Sequence, residues 1–322
     1  MSGRFVVGKV LGSLATLAFV LVFNFFLFRI VETNPVAVLY RGRNLTDAQR
    51  DELTREFGLD GSKLEQFWRY LEQTLQLNLG RSYSSNQPVM DEIWAAAPQT
   101  IALVGVATLL SMVIGLLMGI SAGWHRGTNK DRLLTSGSMA TWSTPDFWLG
   151  MILLTVFAVR LGLFPTGGIE DPGSGATGIE KLLDQAHHMA LPCLTLAIAY
   201  IGEFALVMRS SMLDVVREDY LTLARAKGLR EAQVRDRHAV RNALLPSTAL
   251  IAINFGFILS GAIAVETVFS WPGLGLLTTE SLSGPDLPML QGLFLVFSAS
   301  VIAFNLLADL LYPFLDPRVR HA

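Results

Sequence analysis

The chain has 322 residues, 51% hydrophobic and only 16% charged, with a mean hydropathy of +0.44, which excludes an ordinary soluble domain and describes an integral membrane protein. A formal net charge of -2 excludes recruitment of nucleic acid or of a polyanion by bulk electrostatics. Cys193 is the single cysteine, which excludes an intrachain disulfide and any Cys-based metal or redox centre.

Apolar runs long enough to cross about 30 Å of hydrocarbon occur at 10–28, 100–124, 133–159, 189–208, 245–269 and 290–312, so the sequence predicts an all-α protein with six transmembrane helices. Arg4 and Lys9 precede the first run, but the run is long and no small-residue cleavage pattern follows Phe28. It reads as a retained span and not as a signal peptide. Between the first and second runs, Thr46 with Gln49 and Ser62 with Glu65 form capping-box pairs, each opening a helical pattern that a glycine follows, Gly58 or Gly80. The second of these helices gathers Leu64, Phe67, Trp68, Leu71 and Leu75 on one face, which suits the membrane surface or a neighbouring subunit. Gly119 to Gly123 match GxSxG, yet they end a membrane helix, where close packing through small residues accounts for them better than a nucleophile elbow does.

The connection 125–132 carries Arg126, Lys130 and Arg132, and the connection 220–246 carries Arg225, Lys227, Arg230, Arg235, Arg237 and Arg241. Both are expected in the cytosol, and an even number of spans then places both termini there. The connection 161–188 holds one lysine and several acids and falls outside, with a Gly/Pro-rich stretch at 165–178. His187 and His188 stand at its membrane edge, where adjacent side chains point apart and cannot pair on a metal by themselves. Ionisable groups inside the bilayer cost at least ~2.5 kcal/mol unpaired and normally face a bundle interior or a water path. Asp146, just after the kinking Pro145, Glu203 and Asn254 are the pathway candidates, with helix-pairing polar contacts as the alternative. Glu266 and Asp309 are expected near interfaces and solvated. Trp271, Pro272 and Gly273 open a WPGLG segment that reads as an interfacial aromatic and a short external gate, or as a plain interface turn.

The stretch from Tyr220 to Pro246 is basic, polar and helix-prone between two spans, with anionic-lipid binding as the bland alternative. Asp219 is expected to cap a two-turn helix that ends at Lys227, with Gly228 in the left-handed closing position. Tyr220 and Leu223 offer apolar anchors, while small Ala224 and Ala226 let a partner approach closely. A second helix from Glu231 to Leu244 then climbs to the fifth span, so that a push on the first must move the span. No GxxxxGK[ST] phosphate loop occurs, and Gly8-Lys9 lacks the preceding glycine and the hydroxyl residue. This chain cannot bind and hydrolyse ATP by that route.

The loop resembles the cytoplasmic Glu-Ala-Ala...Gly motif of ABC importer permeases, in its dipeptide/oligopeptide variant. It shares Tyr220, Ala224, Arg225, Ala226, Lys227 and Gly228, then His238, Arg241, Asn242, Ala243, Leu244 and Pro246. Thr222 and Leu223 stand where the wider superfamily has Glu and Ala. The resemblance continues through FGLD at 57–60, LGRS at 79–82, FWLG at 147–150, MRSSML at 208–213, ETVFSWPGLG at 266–275 and LDP at 315–317. It implies a type I ABC importer permease fold with a small external helical insertion. The expected parts are an N-terminal transmembrane helix at 1–30, an external helical segment at 31–98 and a permease core at 99–322 with a coupling loop at 210–245. It also implies a non-catalytic half-pore in a bacterial inner membrane, with ATPase-coupling residues Tyr220, Leu223, Ala224, Ala226, Lys227, Gly228 and Arg241. The implied partners are a second permease, two cytosolic ATPases that bind ATP and Mg, an extracytoplasmic binding protein and lipid; this chain needs no cofactor of its own. The implied cargo is a di- or oligopeptide, in a family that also includes nickel, glutathione and haem importers, and the sequence does not choose among them. An ion-gradient-driven transporter or channel is the alternative, although no convincing inverted repeat is visible.

Overall fold

The computed structural model describes residues 3–28, 46, 49, 52, 60–173, 175, 177–244, 247, 251, 262–284 and 286–315. Among these residues all the regular elements are helices, beside one isolated antiparallel bridge between Arg81 and Pro88. The helices in order are α1 (Gly3–Phe26), α2 (Lys63–Leu75), α3 (Val89–Trp124), α4 (Asn129–Ser143), α5 (Asp146–Leu153), α6 (Ile179–Val215) and α7 (Asp219–Ala226). After them come α8 (Glu231–Gln233, running on through a π-helical turn Val234–Ala239), α9 (Ile263–Val268), α10 (Leu274–Ser283) and α11 (Leu287–Leu315).

Among the described residues α1, α3, α6 and α11 are long and apolar enough to cross a membrane, and the pair α4 and α5 supplies a fifth crossing if counted as one span. The expected third span is thus broken, with α4 and the segment Asp146–Arg160 meeting at 97°. Pro145 is the cause: it has no amide hydrogen to donate, and it forces Thr144 into an extended conformation at φ -85 and ψ 125. The expected fifth span at 245–269 lies mostly outside the described residues, which include only 247, 251 and 262–269 of it. The capping box of Ser62 and Glu65 opens α2 as expected. Thr46 and Gln49 also exchange the reciprocal bonds of a capping box, at 3.0 and 3.3 Å, but the helix that would follow lies outside the described residues.

The spine of the fold is α3. Its first turns pack Val89, Ile93 and Ala97 with Leu274 of α10 and Met289 and Leu293 of α11. Its middle packs Leu103, Val104 and Ala107 with Leu191 and Leu196 of α6 and Val265 of α9. Its last turns, Leu116, Ile120 and Trp124, border a third cluster built on Met208 and Met212 of α6. Gly115, Gly119 and Gly123 recur every fourth residue and so share one face of α3. A methyl group on Gly119 would fall 2.5 Å from the Ala205 carbonyl oxygen, and one on Gly115 2.7 Å from that of Ile201. The backbones of α3 and α6 touch because glycine is there, as the small-residue account of GxSxG anticipates.

Candidate functional site

Three groups of residues stand at distinct levels of this bundle. At one end, α7 lies against the last turns of α3 and α6. The residue that caps it is Glu218, in extended conformation, so Asp219 is its first helical residue and not the cap expected from sequence. Gly228 closes the turn beyond α7 at φ +81, and its amide donates to the Arg225 carbonyl at 2.9 Å. Nothing lies within 4 Å of where its Cβ would be, so glycine is required there by the backbone and not by space.

The two faces of α7 differ. Leu221 and Ala224 are buried with Met208, Met212, Val234, Ala239 and Ala243. Tyr220, Leu223, Ala226, Lys227 and Arg241 are exposed. This corrects the expectation that both alanines face a partner: Ala226 faces outward, whereas Ala224 is 5% exposed and spends its small size on packing α7 against its own spans. Polar contacts reinforce the seat. Asn242, just beyond the π-helical turn of α8, donates to the Tyr220 hydroxyl at 2.7 Å. Arg225 donates to Glu231 at 2.9 Å and lies 5.8 Å from the ring centre of Trp124.

Beside this seat the sequence reading missed an ion pair. Arg209 of α6 grips Asp131 of α4 with two bonds of 2.7 and 3.1 Å, while Asp131 also accepts from the Gly127 amide at 2.9 Å and from Thr135 at 3.1 Å. The signal was present in part: Thr128 three residues before Asp131 is a capping pattern, and its hydroxyl does accept from the Asp131 amide. The partner 78 residues away had no signal.

In the middle level, Asp146 is the first residue of α5, directly after the break at Pro145, and Glu203 lies on α6. Both are half-buried, and Tyr200 stands one turn before Glu203. The break thus sets Asp146 at the start of a helix that packs on α6, the helix that carries Glu203. Asn254 lies outside the described residues.

The third level is built on Glu266, which is fully buried and not solvated at an interface as expected. Its Oε1 accepts from the Thr100 hydroxyl at 2.9 Å, and its Oε2 accepts from the amides of Gly275 at 2.7 Å and Leu276 at 3.3 Å. Those amides are unpaired donors of the first turn of α10, where a carboxylate is favoured by both hydrogen bonding and the helix dipole. Thr100 in turn accepts from the Leu274 amide at 2.7 Å. Trp271 is 3% exposed, which corrects the reading of an interfacial aromatic, and its indole donates to the Gln99 carbonyl at 3.0 Å. Pro272 is exposed, while Gly273 is buried so close to Glu266 and Thr100 that a Cβ there would collide with both.

In the first turns of α6, beside the connection from α5, the His187 and His188 rings stand edge-on to one another at 80°, with centres 6.5 Å apart. His187 bonds the Leu163 carbonyl at 3.0 Å. His188 is buried and not interfacial, with Nδ1 3.1 Å from an Asp184 carboxylate oxygen and Nε2 3.7 Å from Asp171, a clamp between the connection and α6.

Residues 111–321 match the family described as binding-protein-dependent transport system inner membrane component, and residues 2–104 match the N-terminal model of such membrane components. The glutathione transport system permease protein GsiC of Escherichia coli (strain K12) is 37% identical over 319 residues, covering 99% of each chain. The protein of the same name from Pectobacterium atrosepticum is also 37% identical over 319 residues, with 99% of each chain covered. The di/tripeptide transport system permease protein DppB of Pseudomonas aeruginosa is 36% identical over 312 residues, covering 92% of this chain and 93% of its own.

Proposed function

The chain belongs to the family of binding-protein-dependent transport system inner membrane components and is a permease of that kind; from this premise we propose that it forms half of the pathway of an ATP-driven importer of glutathione or short peptides. The cargo follows the names of the relatives, and nickel or haem is the less supported choice. Full-length similarity to transport-system permeases favours this reading over an ion-gradient-driven carrier or channel. A second permease completes the pore, two cytosolic ATPases hold ATP and Mg, and an extracytoplasmic binding protein delivers the cargo. The type I fold of the family supports six spans, the sixth coming from 245–269. An N-terminal helix at 1–30, an external segment at 31–98 and a core at 99–322 with its coupling loop at 210–245 complete the organisation.

The coupling role rests on the two-sided α7. Its outer face, Tyr220, Leu223, Ala226 and Lys227, is offered to an ATPase groove, while Leu221 and Ala224 seat it on α3, α6 and α8. Closure of the ATPases on ATP moves α7, and the Tyr220–Asn242 bond and the shared apolar cluster pass that motion to α8 and on to the fifth span. Asp146 and Glu203, with Asn254, line the path and receive the charged ends of a peptide. The Trp271 to Gly273 turn gates the external side, and both termini and α7 lie in the cytosol.

The test is reconstitution of the chain with its partner permease, ATPases and binding protein, followed by measurement of ATP hydrolysis and of uptake of labelled glutathione and dipeptides. Cargo-loaded binding protein is expected to stimulate both. Leu223→Asp should cut both by about tenfold or more, because an apolar anchor of this kind is worth ~2 kcal/mol or more. Uptake that proceeds without ATP would overturn the importer assignment, and full stimulation in the Leu223→Asp protein would overturn the coupling face alone.

A further inference from the structure

The helix α2 divides its circumference among three environments. Gln66 and Thr74 are buried, and Tyr70 between them packs on Phe25 of α1 with ring centres 5.7 Å apart. These three recur every fourth residue and form the side that meets protein. Glu65, Glu72 and Gln73 are exposed on a second side. On the third side Leu64, Trp68 and Leu75 are 67%, 60% and 73% exposed, with half-buried Leu71 among them. At ~100° per residue these four apolar residues fall within roughly 60° of arc.

In water this arrangement is inverted, since the buried side is the polar one and the exposed stripe is leucine and tryptophan. Next to a bilayer it is the expected one. α1 exposes Phe19, Val22, Phe23 and Phe26 along its length, as a lipid-facing span does. Beneath that surface the buried Phe25 joins α1 to α2: its ring centre is 5.2 Å from Phe67, itself 5.7 Å from Trp68. The aromatics Phe25, Phe26, Phe67, Trp68 and Tyr70 thus gather at the end of an apolar span, where an aromatic belt stands at the membrane boundary. We propose that α2 is an interfacial anchor that lies along the membrane, its Leu64, Trp68, Leu71 and Leu75 stripe sunk among the acyl chains of the leaflet at the Phe26 end of α1. The anchor fixes the height of the external segment above the pore independently of the coupling assignment.

Nitroxide labels report this directly. In a Cys193→Ala background, single cysteines replace Leu64, Trp68, Leu75 and, as the water-side control, Glu72. The complete transporter is placed in phosphatidylethanolamine/phosphatidylglycerol vesicles, and collisions with oxygen and with a water-soluble nickel chelate are compared. Oxygen collisions should exceed nickel collisions severalfold at Leu64, Trp68 and Leu75, with the order reversed at Glu72. Nickel access at all four positions would place the stripe in water and overturn the proposal. Immobilised labels reached by neither reagent would place it under protein, from this chain or a partner, and overturn it equally.

Discussion

A carboxylate without solvent is tolerated only where donors surround it, and Glu266 has three, from Thr100, Gly275 and Leu276. Two of the three come from the start of α10, so the charge joins α9 to α10, and the Thr100 hydroxyl joins both to α3. Replacing Glu266 with alanine orphans these donors at ~1–3 kcal/mol each. The Glu266→Ala protein is therefore expected to lose thermal stability and to leave the Trp271 turn unfixed. Glu266→Gln keeps one oxygen for the two amides and should cost about 1 kcal/mol per weakened bond, a smaller fall in melting temperature in detergent. Equal melting temperatures for Glu266→Ala, Glu266→Gln and the parent would refute the anchoring role. The sequence misplaced this residue for a physical reason. Its position late in an apolar run suggests an interface, and its Thr100 donor is 166 residues away. Trp271 was misjudged likewise, because its acceptor is a carbonyl on α3, 172 residues distant. Local chemistry was the legible kind: the Ser62 capping box and the left-handed Gly228 depend on neighbours within the same turn.

At the level of elements, the order helix, glycine, helix in the stretch 220–246 could be read because each stop and start has its own residue. Which side of α7 is buried could not, since both Ala224 and Ala226 suit either environment and only the packing against Met208 and Met212 decides. The break between α4 and α5 was legible as a kink at Pro145, but its 97° angle is set by tertiary packing, with Gly202 of α6 pressed against the Ser138 carbonyl and Trp142. The geometry at Gly228 gives a clean test of the element. With no atom near its Cβ, a substitution acts only through its left-handed backbone, which costs a β-branched residue about 1–2 kcal/mol or more and an asparagine much less. Gly228→Val is expected to lower binding-protein-stimulated ATP hydrolysis and uptake severalfold, and Gly228→Asn to retain most of both. A steric account would instead predict that the two variants, similar in size, fail alike, and that outcome would show that position 228 acts through side-chain bulk and not through the left-handed backbone of this turn.

Across the whole molecule the contacts sort into two ends. Lys9 pairs with Asp309 at 2.9 Å, and Asn24 bonds the Gln291 carbonyl at 3.1 Å, so α1 and α11 run antiparallel. The first turns of α3 meet the first turns of α11 through Val89 and Leu293, whereas its last residue, Trp124, lies under Arg225. Lys9, Asp309, the Asp131–Arg209 pair and α7 therefore belong to one end, and Asn24, Gln291 and the seat of α2 to the other. The first end also collects Arg126, Lys130, Arg132, Arg225, Lys227 and Arg230, the bias that the positive-inside rule expects on the cytosolic side. The 37 residues of α6, about 55 Å at 1.5 Å each, separate Ile179 from Val215 and α7. This predicts opposite labelling of two exposed positions, Ile179 at 76% and Leu223 at 58%. In a Cys193→Ala background, Ile179→Cys should react with a membrane-impermeant maleimide on intact spheroplasts, and Leu223→Cys only after lysis. The reverse pattern would put α7 outside the cell, beyond reach of any ATPase, and the coupling role would fall with it.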